Sequence, residues 1–290
     1  MTRALVIAPL AFVVGVMSLA AQRQTPQFRS GVERVRVDAL VADRGRPILG
    51  LTVADFEVKD NGAIVRDLEV TPTSASVGVV IALSLGASAR EAGLKELIAA
   101  CQALAGALEP NDRAWIVTFS STFALKAGPV TDPGVIRKVL TDAQPGSSSV
   151  MRDALFGSVS LAAAHPGRSL VLLFTDGVDR GSWLRGERAL DVLRRSDVVV
   201  SGIRPAGVLF GFNALEALAK ASGGGVIYAE RGAKLQQQFV NLLREFRIGY
   251  VLSYAPPVQP AENGWHEIDV KLKGRRGNVR AREGYYEPGR

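Results

Sequence analysis

The sequence VGVVIAL at residues 77–83 is an uninterrupted apolar run. A run of this kind is typical of a strand that is buried on both faces of a parallel sheet. Further apolar segments, separated by helical patterns, are predicted as strands at residues 114–119, 169–174, 198–203 and 226–228. Because strands and helices alternate, the sequence predicts a doubly wound, mostly parallel α/β sheet over residues 77–247.

The segments on either side of this region follow the two-residue period of β-strands. Residues 28–76 include the alternating stretch at 35–41 and the hairpin signal Asp60-Asn61-Gly62. Residues 248–290 contain further strand patterns around a glycine-flanked turn. Neither segment is long enough to bury a core by itself. We therefore expect the N-terminal and C-terminal β segments to pair into one small β domain, with the α/β module inserted between them.

The chain begins with the pattern of a secretory signal. A basic start, Met1-Thr2-Arg3, precedes an apolar run over residues 4–19, and Ser18-Leu19-Ala20 supplies the small residues of a cleavage site. We expect residues 1–20 to be a cleaved signal peptide and the protein to be extracytoplasmic, either periplasmic or secreted. The alternative is an uncleaved membrane anchor, although the run is shorter than the roughly 20 residues that span a bilayer.

The composition is that of a globular protein and excludes several kinds of site. Of the 290 residues, 47% are hydrophobic and 22% are charged. The single cysteine, Cys101, rules out a disulfide framework within the chain and any multi-cysteine metal site. Two histidines leave little for histidine-based catalysis. The sequence also lacks a nucleophile elbow, a phosphate-binding loop and a dinucleotide glycine fingerprint.

Positive charge is concentrated near the C-terminus. The net charge is +7. One predicted hairpin carries the cations Lys271, Lys273, Arg275, Arg276, Arg280 and Arg282. They either contact an anionic envelope surface, such as a cell-wall polymer or a lipid headgroup, or form the solvated face of a β domain. Export of the protein argues against nucleic acid as a partner.

Hydroxyl and carboxylate side chains follow the predicted strands at the points where the strands end. Ser84 and Ser88 come after the first strand, Ser149 precedes a helix, and Asp176 follows the next strand. The carboxyl ends of parallel strands meet at one edge of a sheet, where such folds bind ligands, and oxygen ligands suit Mg²⁺. Each residue also has a simpler interpretation, since Ser88 can cap a helix, Ser149 can solvate a loop and Asp176 can begin a turn.

The order of the predicted strands and helices, together with several motifs, resembles a von Willebrand factor type A domain. Within the α/β region they are Leu173-Phe174-Thr175-Asp176-Gly177 and the segment at residues 219–224. The flanks at residues 35–38, 51–58, 249–254 and 280–286 resemble a bacterial secreted family built around that domain. The resemblance implies a Rossmann-like type A fold and a general binding module.

Type A domains commonly carry a metal-ion-dependent adhesion site with the pattern Asp-x-Ser-x-Ser, a distant Thr, and the Asp of a Thr-Asp-Gly loop. The resemblance assigns these positions to Ser84, Gly86, Ser88, Ser149 and Asp176. The first acidic position and one hydroxyl are therefore missing, and the site is degenerate. We expect Mg²⁺ to bind weakly or not at all, or to bind only when a partner supplies a carboxylate.

The sequence thus favours a non-enzymatic binding module, secreted or envelope-associated, that mediates protein–protein interaction or adhesion through its strand tips. The sequence does not identify the partner protein. One alternative is an extracytoplasmic hydrolase that uses Ser84 or Asp176. The other is a structural envelope component that is held by the basic hairpin.

Overall fold

The structure, a computed structural model, describes residues 34–73, 75–86, 93–130, 132–141, 143, 146, 148–205, 212–257 and 264–286. The predicted signal peptide at residues 1–20 and the candidate ligand Ser88 lie outside these ranges. Within them, no helix combines the length and the apolar character that crossing a membrane requires.

The described strands and helices follow the predicted alternation. The strands are β1 (Val35–Asp43), β2 (Arg46–Pro47), β3 (Phe56–Asp60), β4 (Ala63–Ile64), β5 (Glu69–Pro72), β6 (Val77–Ser84), β7 (Arg113–Phe119), β8 (Phe123–Val130), β9 (Arg168–Phe174), β10 (Val199–Pro205), β11 (Val226–Ala229), β12 (Tyr250–Tyr254), β13 (Trp265–Leu272), β14 (Asn278–Ala281) and β15 (Gly284–Tyr286). The helices are α1 (Leu94–Gly106), α2 (Pro133–Thr141), α3 (Met151–Ala163), α4 (Gly186–Arg194), α5 (Phe212–Ala221) and α6 (Ala233–Arg247), with a 3₁₀ turn at Val53–Asp55.

A six-stranded sheet forms the centre of the α/β part. Its order is β11-β10-β9-β6-β7-β8, and each neighbouring pair is parallel except β7 with β8. All residues of the central strand β6 are buried, because helices cover both faces of the sheet. Val79 and Ile81 pack with α1, α2 and α6, whereas Val80 and Ala82 pack with α3, α4 and α5. The fold class predicted from the apolar runs is confirmed.

Strand β6, predicted at residues 77–83, is central because it is buried on both faces. The single cysteine of the chain is buried in the same core. Cys101 lies on α1 within the core. Burial raises the pKa of its thiol to about 12, so the thiol is protonated at neutral pH. A protonated, buried thiol is a packing group and not a nucleophile.

Two antiparallel sheets contain both flanks of the α/β part. One has the order β14-β1-β12-β5, with β2 attached to β1, and the other has the order β15-β13-β3-β4. Strand β1 lies between β12 and β14, and β3 pairs with β13. Strands from before residue 76 are therefore hydrogen bonded to strands from after residue 248. Their shared core includes Val37, Phe56, Tyr250 and Leu252.

Arginines connect the β part to the α/β part at the amino ends of the parallel strands. Nε of Arg168, the first residue of β9, lies 2.6 Å from Oδ1 of Asp38 on β1, and its Nη1 donates to a carbonyl at the end of α6. Nη1 of Arg282 lies 2.5 Å from Oδ1 of Asp197, and its Nη2 donates to the last carbonyl of α4. Guanidinium groups satisfy helix C-terminal carbonyls and complement the helix dipole.

The two glycines of the segment at residues 219–224 allow close backbone packing, Gly223 at this joint and Gly224 against β10. Gly223 has a φ of 85°, and a Cβ on it would lie 2.7 Å from the backbone nitrogen of Arg282. A Cβ on Gly224 would lie 1.9 Å from the carbonyl oxygen of Val200. Only glycine permits backbones to approach so closely, which gives this motif a packing role.

The structure differs from the predicted elements in two places. Strand β8, at the edge of the sheet, has no counterpart among the predicted strands. The last strand pattern of residues 248–290 predicts one strand over residues 279–286, but the structure has two, β14 and β15. Between them, Arg282 forms a β-bridge with Ser222 and pairs with Asp197.

Candidate functional site

Three loops meet at the strand-tip edge, which is the edge of the six-stranded sheet where the parallel strands end. They are residues 84–86 after β6, residues 146 and 148–150 before α3, and residues 175–181 after β9. The N–H of Gly146 donates to the carbonyl of Leu85 at 2.8 Å. The N–H groups of Arg180 and Gly181 donate to the carbonyl of Ser149 at 2.9 and 3.1 Å. The structure therefore places the loops of Ser84, Ser149 and Asp176 against one another.

Ser84 is the last residue of β6 and is buried. Its Oγ accepts a hydrogen bond from the N–H of Gly86 at 3.4 Å. A Cβ on Gly86 would lie 3.6 Å from this Oγ and 3.3 Å from the carbonyl oxygen of Ser148. A side chain at position 86 would thus lie between the first and second loops, and a serine would fit after a shift of a few tenths of an ångström.

Ser149 carries a buried hydroxyl that has no hydrogen-bond partner among the described residues. The residue is 6% exposed, and its Oγ makes no hydrogen bond within the part of the chain that the structure describes. Its backbone carbonyl, in contrast, accepts the two N–H groups that fasten the third loop. Burying a hydroxyl without a partner is unfavourable, and such groups in native proteins call for a specific explanation.

Asp176 is buried beneath the turn that it begins. Its Oδ1 accepts a hydrogen bond from the N–H of Val178 at 3.0 Å, and Oγ1 of Thr175 accepts one from the N–H of Gly177 at 3.2 Å. Gly177 has a φ of 82°, a value that favours glycine. The turn explains the residue types Asp and Gly in part, and it holds the Asp176 carboxylate at the strand-tip edge.

Asp179 fixes the third loop to the start of α3. Its Oδ2 accepts hydrogen bonds from the N–H of Arg152 at 2.8 Å and from Oγ of Ser182 at 2.6 Å, and Nη2 of Arg152 donates to its Oδ1. Burial by itself would raise the pKa of Asp179, but the hydrogen bonds from Arg152 and Ser182 lower it below the ordinary value. The carboxylate therefore stays ionised and engaged.

Asp153 holds the end of the same loop. Its two carboxylate oxygens accept hydrogen bonds from the N–H groups of Trp183 and Leu184 at 3.0 and 2.9 Å. Sequence reasoning missed this bracing role, although aspartate in the first turn of a helix is a known signal for such contacts. Asp153 and Asp179 thus hold the third loop of the strand-tip edge against the start of α3.

The donors at the strand-tip edge are one carboxylate, from Asp176, and the hydroxyls of Ser84 and Ser149. Among the described residues, no group of three or more His, Cys, Asp or Glu side chains could hold a metal ion. The buried, unpartnered Ser149 hydroxyl fits a divalent ion that keeps most of its water, as Mg²⁺ usually does. The donor set does not fit a closed cage made of protein ligands alone.

Neither histidine of the chain lies at the strand-tip edge. Nε2 of His165 is 3.4 Å from Oγ of Ser76, just before β6 begins, so about 26 Å of strand separates it from Ser84. His266 lies on β13, where its Nδ1 is 2.6 Å from Oδ1 of Asp60. Ser84 therefore has no imidazole base, which a serine nucleophile ordinarily requires.

The six cations of the predicted basic hairpin do not share one exposed face. Arg280 and Arg282 turn toward the α/β part, where they pair with Glu245 and Asp197. The remaining cations are at least partly exposed around the hairpin turn: Lys271, Lys273, Arg275 and Arg276.

Carboxylates also accompany part of the exposed group. Lys271 pairs with Asp269 at 2.6 Å, and Arg275 pairs with Asp55 at 2.9 Å. Within the described ranges, Lys273 and Arg276 form no ion pair. The charge available to an outside partner is therefore smaller than the sequence alone indicates.

Comparisons with known proteins identify the fold. No protein-family model and no curated protein matches the sequence. A von Willebrand factor type A structure from Catenulispora acidiphila matches with a TM-score of 0.53 and 12% identity over 86% of this chain and 76% of that chain. The vWF domain of the pili tip protein Mfa5 from Porphyromonas gingivalis matches with a TM-score of 0.51 and 11% identity, covering 60% of this chain and 96% of that chain.

A third match comes from the mussel byssus. Proximal thread matrix protein 1, in a structure with a zinc-occupied metal-ion-dependent adhesion site, matches with a TM-score of 0.50 and 14% identity. The match covers 65% of this chain and 50% of that chain. The α/β part therefore has the von Willebrand factor type A fold, as the sequence motifs predicted.

Proposed function

We propose that this protein is a non-enzymatic, extracytoplasmic binding module that holds a protein partner at the strand-tip edge of its type A fold. The observation that carries the proposal is the buried Ser149 hydroxyl, which lacks a hydrogen-bond partner among the described residues. It lies on the loop to which the Asp176 loop is fastened. A group kept in this unfavourable state is explained when a ligand satisfies it. The extracytoplasmic location rests on the signal pattern at residues 1–20.

The ligand that fits this edge is a weakly held divalent cation such as Mg²⁺. Asp176 would supply the carboxylate, and Ser84, Ser149 and Ser88 would supply hydroxyls. A bound cation would supply positive charge for a carboxylate of the partner. Because Asp176 is the one carboxylate among these four candidate ligands, the partner's carboxylate completes the charge balance, and the partner and the cation bind together.

Replacing Ser149 by alanine separates this role from a structural one. If the hydroxyl serves a ligand, Ser149→Ala removes an unsatisfied group, and the free energy of unfolding stays the same or rises by up to about 1 kcal/mol. Capture of the partner from native envelope extracts in Mg²⁺ should nevertheless fall about tenfold. Chemical denaturation measures the first quantity, and quantitative pull-down with Mg²⁺ or with chelator measures the second.

The companion variant is Asp176→Asn, which removes the carboxylate and should abolish the Mg²⁺-dependent capture. Asp43→Asn makes the same change at an exposed position in the β part and should leave capture unchanged. Equal capture in Mg²⁺ and in chelator by all variants would overturn the proposal. Hydrolysis of ester, peptide or glycan substrates that disappears in Ser84→Ala would instead support the hydrolase.

Association with an anionic envelope surface is a second, lesser role, and it rests on the exposed Lys273 and Arg276, which form no ion pair with any described residue. Replacing Lys273, Arg275 and Arg276 by glutamine should weaken retention in envelope fractions and flatten its salt dependence, since exposed charges are screened within about 8 Å at physiological ionic strength. A matched control removes the same charge from the exposed residues Arg44, Arg46 and Arg66. Retention that is unchanged at low and high salt would leave the solvated face as the role of the hairpin.

A further inference from the structure

Four exposed apolar side chains on α3, on the neighbouring strand β8 and on the loop before α4 form a group that we call the aromatic strip. Its members are Trp183, Phe156, Phe123 and Leu125, with exposed fractions of 95%, 47%, 44% and 50%. A Cβ on Gly157 would lie 2.6 Å from Cε2 of Phe123, so the Phe123 ring covers the helical position beside Phe156. Adjoining large apolar side chains that remain exposed mark interaction sites on soluble proteins.

The position of Trp183 is fixed by the backbone around it. Its N–H and that of Leu184 both donate to the carboxylate of Asp153, and Leu184 packs against the core. Asp153 precedes Phe156 by three residues, so both lie on the same side of α3. The loop therefore holds the backbone of Trp183 at the first turn of α3, one turn before Phe156, and leaves the indole exposed. A side chain held in place before binding loses little conformational entropy when a partner covers it.

The segment that carries Trp183 is rich in exposed positive charge. From residue 180 to residue 188, the exposed charged side chains are Arg180, Arg185 and Arg188 against Glu187 alone. Within the described part of the chain, these three arginines form no ion pair, and the nearby carboxylates Asp153 and Asp179 are engaged by backbone N–H groups. Tryptophan and arginine are among the residue types enriched at the energetic centres of protein interfaces.

We propose that the aromatic strip docks an acidic polypeptide segment whose aromatic or aliphatic side chains alternate with its carboxylates. This inference rests on the proposed function and names the chemistry of its partner. The N–H of Arg180 donates to the carbonyl of Ser149. The loop that carries Trp183 therefore starts at the strand-tip edge, three residues before Trp183. A single acidic segment can therefore place one carboxylate at the edge, another against Arg180, and an apolar side chain on Trp183.

The test uses synthetic, fluorescently labelled peptides and the full chain. The first peptide consists of Glu-Glu-Phe repeats, the second has lysine in place of glutamate, and the third has alanine in place of phenylalanine. Fluorescence anisotropy should show binding of the first peptide only. Trp183→Ala should weaken that binding at least about tenfold, whereas Trp183→Phe should retain most of it. Because Trp183 is almost fully exposed, neither change should alter thermal unfolding.

Two further variants separate charge from apolar contact. Reversal of charge in the double variant Arg180→Glu, Arg185→Glu should transfer the preference to the lysine peptide. Leu49→Ala shortens an exposed apolar side chain in the β part and should leave all affinities unchanged. Equal binding of the three peptides, or equal affinity of Trp183→Ala and the natural protein, would overturn the inference.

The outcomes also distinguish this inference from the proposed function. Loss of peptide binding in Trp183→Ala, with no effect of chelator or of Asp176→Asn, would support the strip and overturn the cation-dependent edge. Loss in Asp176→Asn alone would support the edge and overturn the strip. Binding of phosphatidylglycerol vesicles that Trp183→Ala abolishes, without binding of the first peptide, would assign the strip to a lipid surface and overturn the acidic peptide.

Discussion

Replacing Asp60 by alanine is expected to lower the free energy of unfolding by about 3–5 kcal/mol, because it leaves three buried donors without their common acceptor. Asp60 lies on β3 and is fully buried. Its Oδ2 accepts hydrogen bonds from the hydroxyls of Tyr254 and Tyr285 at 2.9 and 2.8 Å. Its Oδ1 lies 2.6 Å from Nδ1 of His266. A single carboxylate thus joins β3 of the N-terminal segment to three strands of the C-terminal segment.

The tyrosine donors depend on this arrangement. Burial and the neighbouring Asp60 carboxylate raise the pKa of Tyr254, so its hydroxyl remains a hydrogen-bond donor throughout the physiological range. The ring of His266 stacks on that of Tyr285 with a centroid separation of 4.5 Å. Removal of the acceptor therefore affects a whole buried cluster and not one pair.

Urea denaturation of the natural protein and of Asp60→Ala measures this loss. The matched control is Asp269→Ala, which removes an exposed carboxylate from the neighbouring strand β13 together with its surface ion pair to Lys271. Surface pairs contribute about 1 kcal/mol or less. A loss at Asp60 no larger than at Asp269 would contradict the assignment of a central stabilising role to the buried cluster.

The double variant Ser84→Asp, Gly86→Ser should tighten Mg²⁺ binding by at least about tenfold, or roughly 1.4 kcal/mol. It restores the carboxylate and the hydroxyl that the type A pattern places at these positions. Ser84 is buried, so the new carboxylate lacks a counter-ion until the cation binds. The variant should therefore unfold at a lower temperature than the natural protein in chelator, and Mg²⁺ should raise its unfolding temperature.

Calorimetric titration and thermal unfolding with Mg²⁺ or chelator together check this expectation. The variant Ser84→Asn, Gly86→Ser has nearly the same shape without the added charge and should gain little affinity. Tight Mg²⁺ binding by the natural protein, with no gain in the double variant, would show that other residues hold the ion. In that case the assignment of Ser84 and Gly86 would be wrong.

The α/β part was predictable because its strands are buried on both faces, and this burial is visible as uninterrupted apolar runs such as residues 77–83. Strand β8 escaped prediction for the opposite reason. It lies at the edge of the sheet, its residues are partly exposed throughout, and no apolar run or strict alternation marks it. The loops at the strand-tip edge followed from topology, since parallel strands must end on the same side.

Contacts between residues distant in sequence could not be predicted in the same way. Asp60 appears in the sequence as the start of a hairpin turn, and its partners lie 194 to 225 residues away. The six cations of the basic hairpin are close in sequence, yet Arg282 is directed to Asp197 across the joint. The spacing of carboxylates likewise does not reveal that Asp153 and Asp179 hold backbone N–H groups.

The position of the joint has a mechanical consequence. The β part meets the α/β part at the amino ends of the parallel strands, through Arg168 and Arg282, whereas the strand-tip edge lies at their carboxyl ends. Tension between a partner at that edge and an anchor in the β part would be directed along the strands. It would act in shear on the six-stranded sheet, so that many hydrogen bonds between neighbouring strands would resist it at once. The ion pairs of the joint would share this load with the covalent chain connections between β5 and β6 and between α6 and β12.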